Sequence, residues 1–359
     1  MKLPRATWGR SVVVIVALSA MVAFFIWRGP NWHLVADAFR FVAWEWVVAA
    51  IALNLVSVIA RAAAWNQVIE QAIPSPQPPF RAVFSAFGVG LFANAVLPGR
   101  IGELARVAVL SRRIEGERRA DTWATLLGTV FVHRVFDLFP VLLLIGYVAA
   151  TAKIPHWALA SVIVFVIVAF ALFGFALASA RHRNRTVLEE AEGGARRLIT
   201  MARYGLGVLH APLPAALAAL LQCVGWLCQL LAVWATMYAF DIHEPLPAAG
   251  LVLLLMNVAM LFPLWPGNVG LVQAAVALPL VSYGVPYAKG FAFGIGLQAI
   301  EMSVGVGIVF LFLAREGLSY AMLKHMPGAE QAEVSERGAE EEQEEQAEQE
   351  QRERARVAR

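Results

Sequence analysis

Long runs of apolar residues separated by short polar segments set the pattern of this chain. A bilayer core of about 30 Å is crossed by about 20 apolar residues in a helix. By that measure residues 11–27, 42–60, 122–150, 157–178, 213–240 and 290–314 are predicted spans, and lipid, which offers backbone groups no partners, requires them to be helical. Two further apolar stretches, 80–98 and 247–283, are broken at Pro98-Gly99 and Pro266-Gly267. A helix stops or bends at such pairs, so both stretches are predicted to be re-entrant or discontinuous. The expected fold class is an all-α polytopic membrane protein with six or more transmembrane helices plus these two broken stretches.

Composition agrees with that pattern. The chain has 359 residues, 59% hydrophobic and 15% charged, with mean hydropathy +0.64, which is more apolar surface than one water-soluble core buries. A soluble enzyme carrying an anchor is thereby excluded. Cys223 and Cys228 lie five positions apart on different sides of one predicted helix, so they read as packing residues and not as a disulfide.

The net charge of +3 conceals a split. Residues 329–359 hold eleven Glu and five Arg, which leaves the rest of the chain with 24 basic and 15 acidic residues. The expected division is a membrane domain over 1–315 and a charged tail over 316–359, solvated or a lone helix, because Glu340 to Gln351 offers no apolar residue larger than Ala. Lys2, Arg5 and Arg10 precede the apolar run Ser11 to Trp27, a layout shared by signal peptides and anchors. The small residues that cleavage wants, Ser19 and Ala20, fall inside the run, so it reads as an anchor that stays.

The segments 100–119 and 181–210 each contain six Arg against three acids, whereas 28–40, 152–156, 241–246 and 284–289 carry few basic residues. The positive-inside rule places the first two in the cytoplasm. In the topology that follows, both termini are cytoplasmic, 80–98 dips in from the cytoplasmic face and 247–283 from the outer face. A bacterial cytoplasmic (inner) membrane is the expected location.

Pro98-Gly99-Arg100-Ile101-Gly102 and Pro266-Gly267-Asn268-Val269-Gly270 share the pattern Pro-Gly-x-x-Gly, 168 positions apart, each at the break of an apolar stretch. With opposite sidedness this points to an inverted repeat around a site near the midplane; ordinary turns in a Gly-rich chain are the alternative. After the first break Arg100, Glu103 and Arg106 share roughly one face of a helix, near Asn94. The arginines can grip a phosphate in a bidentate fork while Glu103 orients one of them, or they can simply fix topology. His133, Arg134 and Asp137 lie within a predicted span, where Arg or Asp costs about 2.5–3.5 kcal/mol each. Arg134 and Asp137, at i and i+3, are expected to pair toward the interior, as a functional site or as a structural lock. Near the second break Asn257, Asn268, Gln273, Gln298 and Glu301 place amides and one carboxylate in apolar helices. Amides glue membrane helices together; Glu301 must pair with an Arg, protonate or meet a watery cavity.

Asn94 through Pro98-Gly99-Arg100-Ile101-Gly102-Glu103 and Arg106, then Arg134 and Asp137, then Pro263-Leu264-Trp265-Pro266-Gly267-Asn268-Val269-Gly270 resemble the lysylphosphatidylglycerol synthase transmembrane-region family, the flippase-like membrane half of multiple peptide resistance factor. The resemblance runs over most of 10–315. It implies a bundle with re-entrant helices and translocation of a lipid or lipid-linked head group. His133 and Gln273 stand where the family often has Glu, and Gln298 near a family Arg, so two site charges are missing or moved, and Glu301 is placed to compensate. The short tail has no room for the synthase domain of bifunctional relatives, so synthase activity is not expected.

The leading expectation is a transporter or flippase for an anionic phospholipid or a polyprenyl-phosphate-linked substrate, with no cofactor, no metal, no catalytic residue and no nucleic-acid partner. Its expected binding residues are Asn94, Pro98, Arg100, Gly102, Glu103, Arg106, Arg134, Asp137, Pro266, Gly267, Asn268, Gly270, Gln273, Gln298 and Glu301. Two other readings stay open: a membrane transferase acting on a lipid-phosphate-linked sugar, and a scaffold that recruits partners through the acidic tail.

Overall fold

The computed structural model describes residues 31–73, 77–96, 101–114, 119–155, 211–261 and 268–316, all of them helix or connecting turn. The predicted spans 11–27 and 157–178, the pairs Pro98-Gly99 and Pro266-Gly267, Arg100, the segment 181–210 and the acidic tail lie outside the described residues. The chain divides into two compact units, Met1–Ile308 and Val309–Arg359; of the second, residues 309–316, the end of the last helix, are described.

The helices are α1 Trp32–Arg40, α2 Trp44–Ala72, α3 Phe80–Val96, α4 Gly102–Ser111, α5 Arg119–Thr151, α6 Pro212–Ala239, α7 Leu246–Met260, α8 Leu271–Val281 and α9 Tyr287–Glu316. Four stretches are long and apolar enough to cross a membrane: Trp44–Ala72, Thr125–Thr151, Pro212–Ala239 and Tyr287–Phe312. They match four of the expected spans. Separate helices flank both breaks: α3, within the first stretch, and α4 beyond it, and α7 and α8 within the second.

Helix α2 outruns its expected span of 42–60 by a dozen residues. The apolar window fades after Ala60, but Arg61 and Asn66 face protein, and a helix whose polar residues are buried against neighbours can continue without meeting lipid. Helix α1 is short and amphipathic. Asn31 caps it by accepting from His33 N at 3.1 Å, Val35 is buried, and Phe39 packs edge-on against Phe240 at 5.3 Å.

Helices α2 and α6 run antiparallel along their length. Ala43 N donates to Ala239 O at 2.9 Å at one end, Ser57 Oγ donates to Gly225 O at 2.7 Å in the middle, and Val68 packs with Ala218 at the other end. Gly225 permits the crossing, since a Cβ there would meet the Arg61 side chain and the Ser57 carbonyl.

The two broken pairs pack against opposite ends of α9. Gly88 and Leu91 of α3 meet Ile308 and Gly305 late in α9. Gly250 of α7 instead meets Leu144 and Val148 late in α5, and Ala277 of α8 meets Gly290 early in α9. Helix α7 is apolar apart from Asn257 and sits in the core, with Leu251, Leu253 and Leu254 sealed by Leu230, Val233 and Met237 of α6 and by Phe293 and Leu297 of α9.

Candidate functional site

The break between α3 and α4 brings polar groups inside the bundle. Asn94 Oδ1 accepts from Gly102 N at 2.8 Å, which satisfies one of the free amides at the start of α4. Gly102 lies against Gly90 O and the Asn94 amide, so any Cβ there would collide with backbone. That close approach turns the next residues of α4 toward the bundle, and Arg106 is buried. Its guanidinium stacks 4.7 Å over the Trp65 ring and 5.4 Å from Phe87, a cation–π cradle that partly replaces lost water. Trp65 is held in turn by donating Nε1–H to Thr129 Oγ1 at 3.0 Å.

Three arginines from three helices surround two carboxylates. Glu103 pairs with Arg134 and, at 2.6 Å, with Arg106 Nη2. The second contact is close but not aligned as a hydrogen bond, and among the described residues Arg106 Nε and Nη2 have no hydrogen-bond partner. Asp137 is saturated: Gln222 Nε2 and Trp226 Nε1 each donate to Oδ1 at 2.9 Å, Arg134 Nη1 donates to Oδ2 at 3.1 Å, and Arg61 Nη2 lies 3.5 Å from Oδ1. So many donors on one buried carboxylate make it a fixed anion.

Arg61 and Asp137 link this cluster to the antiparallel pair α2 and α6. Arg61 Nη1 donates to Gln229 Oε1 at 3.1 Å, and Gln229 Nε2 donates to Glu301 Oε1 at 3.1 Å. Arg61 also lies 5.6 Å over the Trp226 ring. A small cavity is lined by Arg61, Asn94, Glu103, Arg106, His133 and Arg134, with Phe87 and Leu91 as apolar wall. Arg61 Nε and His133 Nδ1 are further buried polar atoms with no hydrogen-bond partner among the described residues. Such a site can receive an oxyanion: fixed forks, unused donors and apolar walls.

The second break is built differently. Gly270 takes φ 91°, a conformation that favours glycine, and its N–H donates to Gln273 Oε1 at 2.5 Å. Gln273 Nε2 donates to Gln298 Oε1 at 2.5 Å, Asn268 Nδ2 to Ala259 O at 3.3 Å, and Asn257 Nδ2 to Leu253 O at 2.8 Å within its own helix. These amides fasten α7, α8 and α9 and bring no charge.

The expected residues Asn94, Gly102, Glu103, Arg106, Arg134 and Asp137 thus come together, whereas Asn268, Gly270, Gln273 and Gln298 form a separate neutral cluster. Pro98, Arg100, Pro266 and Gly267 lie outside the described residues. Glu301, near the second break in sequence terms, connects through Gln229 to the first cluster. Sequence reasoning missed Arg61, Gln222, Trp226 and Gln229. Arg61 stood one residue past the expected end of its span, and the continuation of the helix was the signal that would have found it.

A sequence model described as the lysylphosphatidylglycerol synthase TM region matches residues 12–308. Among curated proteins the chain is similar to the UPF0104 membrane protein MJ1078 of Methanocaldococcus jannaschii, 23% identical over 210 residues that make up 56% of this chain and 84% of the relative. No solved structure matches. With the match running from the first expected span through the charged cluster and both breaks, this chain belongs to the lysylphosphatidylglycerol synthase transmembrane-region family.

Proposed function

We propose that this protein is a flippase-like transporter in the bacterial inner membrane, with an anionic lipid or lipid-linked head group bound at the cavity of Arg61, Arg106 and Arg134. The observation that carries the reading is a set of unused cationic donors: three buried or half-buried arginines meet two carboxylates at the cavity, and among the described residues Arg61 Nε and Arg106 Nε and Nη2 have no hydrogen-bond partner. Intramembrane charge is costly and marks a substrate path. A positive-inside signal needs arginines at the water interface and has no use for Glu103 and Asp137 among them.

The architecture supports alternating access through an inverted repeat. The helix order long, short, short, long occurs twice, and the long helices begin 168 positions apart in both cases, at Trp44 and Pro212 and at Arg119 and Tyr287. The antiparallel pair α2 and α6 sets Ser57 against Gly225 and Arg61 against Gln229, each separated by the same 168 positions. Contact between equivalent residues of antiparallel helices is what a two-fold axis in the membrane plane produces. Residues 11–27 and 157–178 complete six or more spans in this reading, and the arginine-bearing end of α4, with both termini, faces the cytoplasm.

The test is a lipid-scrambling assay in reconstituted vesicles, joined to mass spectrometry of co-purified lipids, for the parent, Arg106→Lys and Glu103→Gln proteins at matched abundance. Lysine keeps the charge and loses both the fork and the stacking geometry, so head-group movement is expected to fall at least about tenfold, equivalent to about 1.4 kcal/mol. Glu103→Gln frees Arg134 and Arg106 from their shared anchor and is expected to act in the same direction. Equal lipid movement by all of them would make the cluster a structural lock.

A further inference from the structure

Glu301 differs from the other two carboxylates of the polar network. Asp137 and Glu103 each touch two arginines. Among the described residues, Glu301 has one polar partner, the neutral amide of Gln229. The groups facing it from neighbouring helices are Gln229 from α6 and, behind that amide, Arg61 from α2. Helices α6, α7 and α8 contain no charged residue at all, and α3 carries only Arg81, in its first turn, well before the Gly88 to Leu91 region that meets α9.

Arg61 therefore serves both places. It lines the cavity, and through Gln229 it is the nearest source of positive charge for Glu301. Counted over the described residues of the network, Arg61, Arg106 and Arg134 balance Glu103, Asp137 and an ionised Glu301. A monoanion entering the cavity upsets that balance by one charge in a low-dielectric interior, where uncompensated charge is expensive. It also draws the Arg61 guanidinium toward itself, and the positive field that favours ionised Glu301 weakens.

We infer that Glu301 is a proton-binding site coupled to the cavity: it takes up a proton when an anionic head group binds at Arg61 and releases it when the head group leaves. Only a proton moves in this step, from solvent to a Glu301 carboxylate oxygen, and no covalent bond to the anion forms. The loaded network is then as neutral as the empty one, and head group and proton travel together. The idea rests on the anion-site reading above and adds its coupling to a proton gradient. His133 also lines the cavity and is the other group able to gain a proton there, so the test separates the two.

The probe is dihexanoyl phosphatidylglycerol, a soluble monoanionic lipid, titrated calorimetrically into the detergent-purified full chain in buffers of different ionisation enthalpy. The parent is expected to take up about one proton per anion bound near neutral pH, with affinity falling up to about tenfold per pH unit as pH rises. Glu301→Gln, which copies the protonated form, is expected to bind the probe with no uptake and a flat pH profile, tighter than the parent at high pH. Uptake that persists in Glu301→Gln and vanishes in His133→Gln overturns the assignment to Glu301. Binding by the parent without proton uptake overturns the coupling while leaving the anion site standing, and this arm holds even if Glu301→Gln fails to fold. No binding by the parent overturns the anion site and the coupling together.

Discussion

The two broken stretches share a sequence pattern and a shape but not a chemistry. In the α3–α4 pair the break is packed by Gly102 against Gly90 and opens onto Glu103, Arg106 and, across the bundle, Arg134 and Asp137. In the α7–α8 pair the break is formed by Gly270 at positive φ and opens onto Gln273 and Gln298. The described residues beside one break are charged and line a cavity, while those beside the other are neutral. In the proposed repeat, halves that start alike and diverge in this way keep one fold in both copies and concentrate the proposed binding chemistry in one.

The comparison breaks most completely if the two hairpins enter from the same side. Arg112 after α4 and Ser282 after α8 are both exposed, and in the proposed topology they lie on opposite faces of the membrane. After replacement of the native Cys223 and Cys228, an impermeant thiol reagent applied to intact cells is expected to label Ser282→Cys and spare Arg112→Cys. Labelling of both from outside would remove the inverted arrangement.

Next in size is the difference in what each cluster contributes to stability. Asp137→Leu strips four partners, two of them cationic, and strands buried arginine charge, at an expected cost of about 3–5 kcal/mol. Gln298→Leu leaves the Gln273 amide short of an acceptor, at about 1–3 kcal/mol for that contact. Unfolding of the purified variants in mixed micelles measures both, and equal losses would mean that the charged cluster is no more structural than the amide one.

A glycine at the first break and one inside a long helix supply a finer contrast. Gly102→Ala is expected to cost about 1–3 kcal/mol through overpacking against the Gly90 carbonyl. Gly146→Ala, in α5 with nothing within 4 Å of the added methyl, is expected to be neutral or to stabilise by up to about 1 kcal/mol, as helix propensity dictates. The same micelle assay reads both, and a neutral Gly102→Ala would show that the close approach is not needed.

Much of this arrangement was legible in the sequence, and the parts that were not have a physical reason. Hydropathy located the long helices because lipid-facing surface must be apolar, and the Pro-Gly pairs located the breaks because they interrupt helical hydrogen bonding. The pairing of Arg134 with Asp137 followed from spacing within one helix. The recruitment of Arg61, Gln222, Trp226 and Gln229 did not, because contacts between helices far apart in sequence leave no periodicity in either one. Glu301 was grouped with the second break by proximity along the chain, although Gln298 of α9 meets Gln273 of α8 while Glu301, three residues further on, meets Gln229 of α6. Helix α2 was cut short by a hydropathy window that treats a buried arginine as a sign of water.

The smallest expected effect lies at the loop that leads into the second hairpin. Asp241, at φ 55°, joins α6 to α7 and accepts from Lys289 Nζ at 2.9 Å, while Lys289 also donates to the Asp241 carbonyl at 2.6 Å. The hydrogen bond from Lys289, with its charge, holds the Asp241 carboxyl below the usual carboxylate range. A depressed folded-state pKa means that the stability it lends is present above the unfolded value of about 3.9 and disappears as pH falls through the lower folded value. Because the pair is largely exposed, solvent screens it and its worth is no more than about 1 kcal/mol. Asp241→Asn tolerates the positive φ and keeps the carbonyl contact, so it removes only the charge. The parent is therefore expected to lose a few tenths of a kcal/mol relative to Asp241→Asn as pH is lowered from about 5 to about 3, and to match it within about 1 kcal/mol above that window. Unfolding curves taken across this range in mixed micelles check it. A variant that tracks the parent at every pH would mean that the carbonyl contact alone pins the loop, and a loss well beyond 1 kcal/mol would mean that the charge pair anchors the second hairpin as firmly as the buried arginines anchor the first.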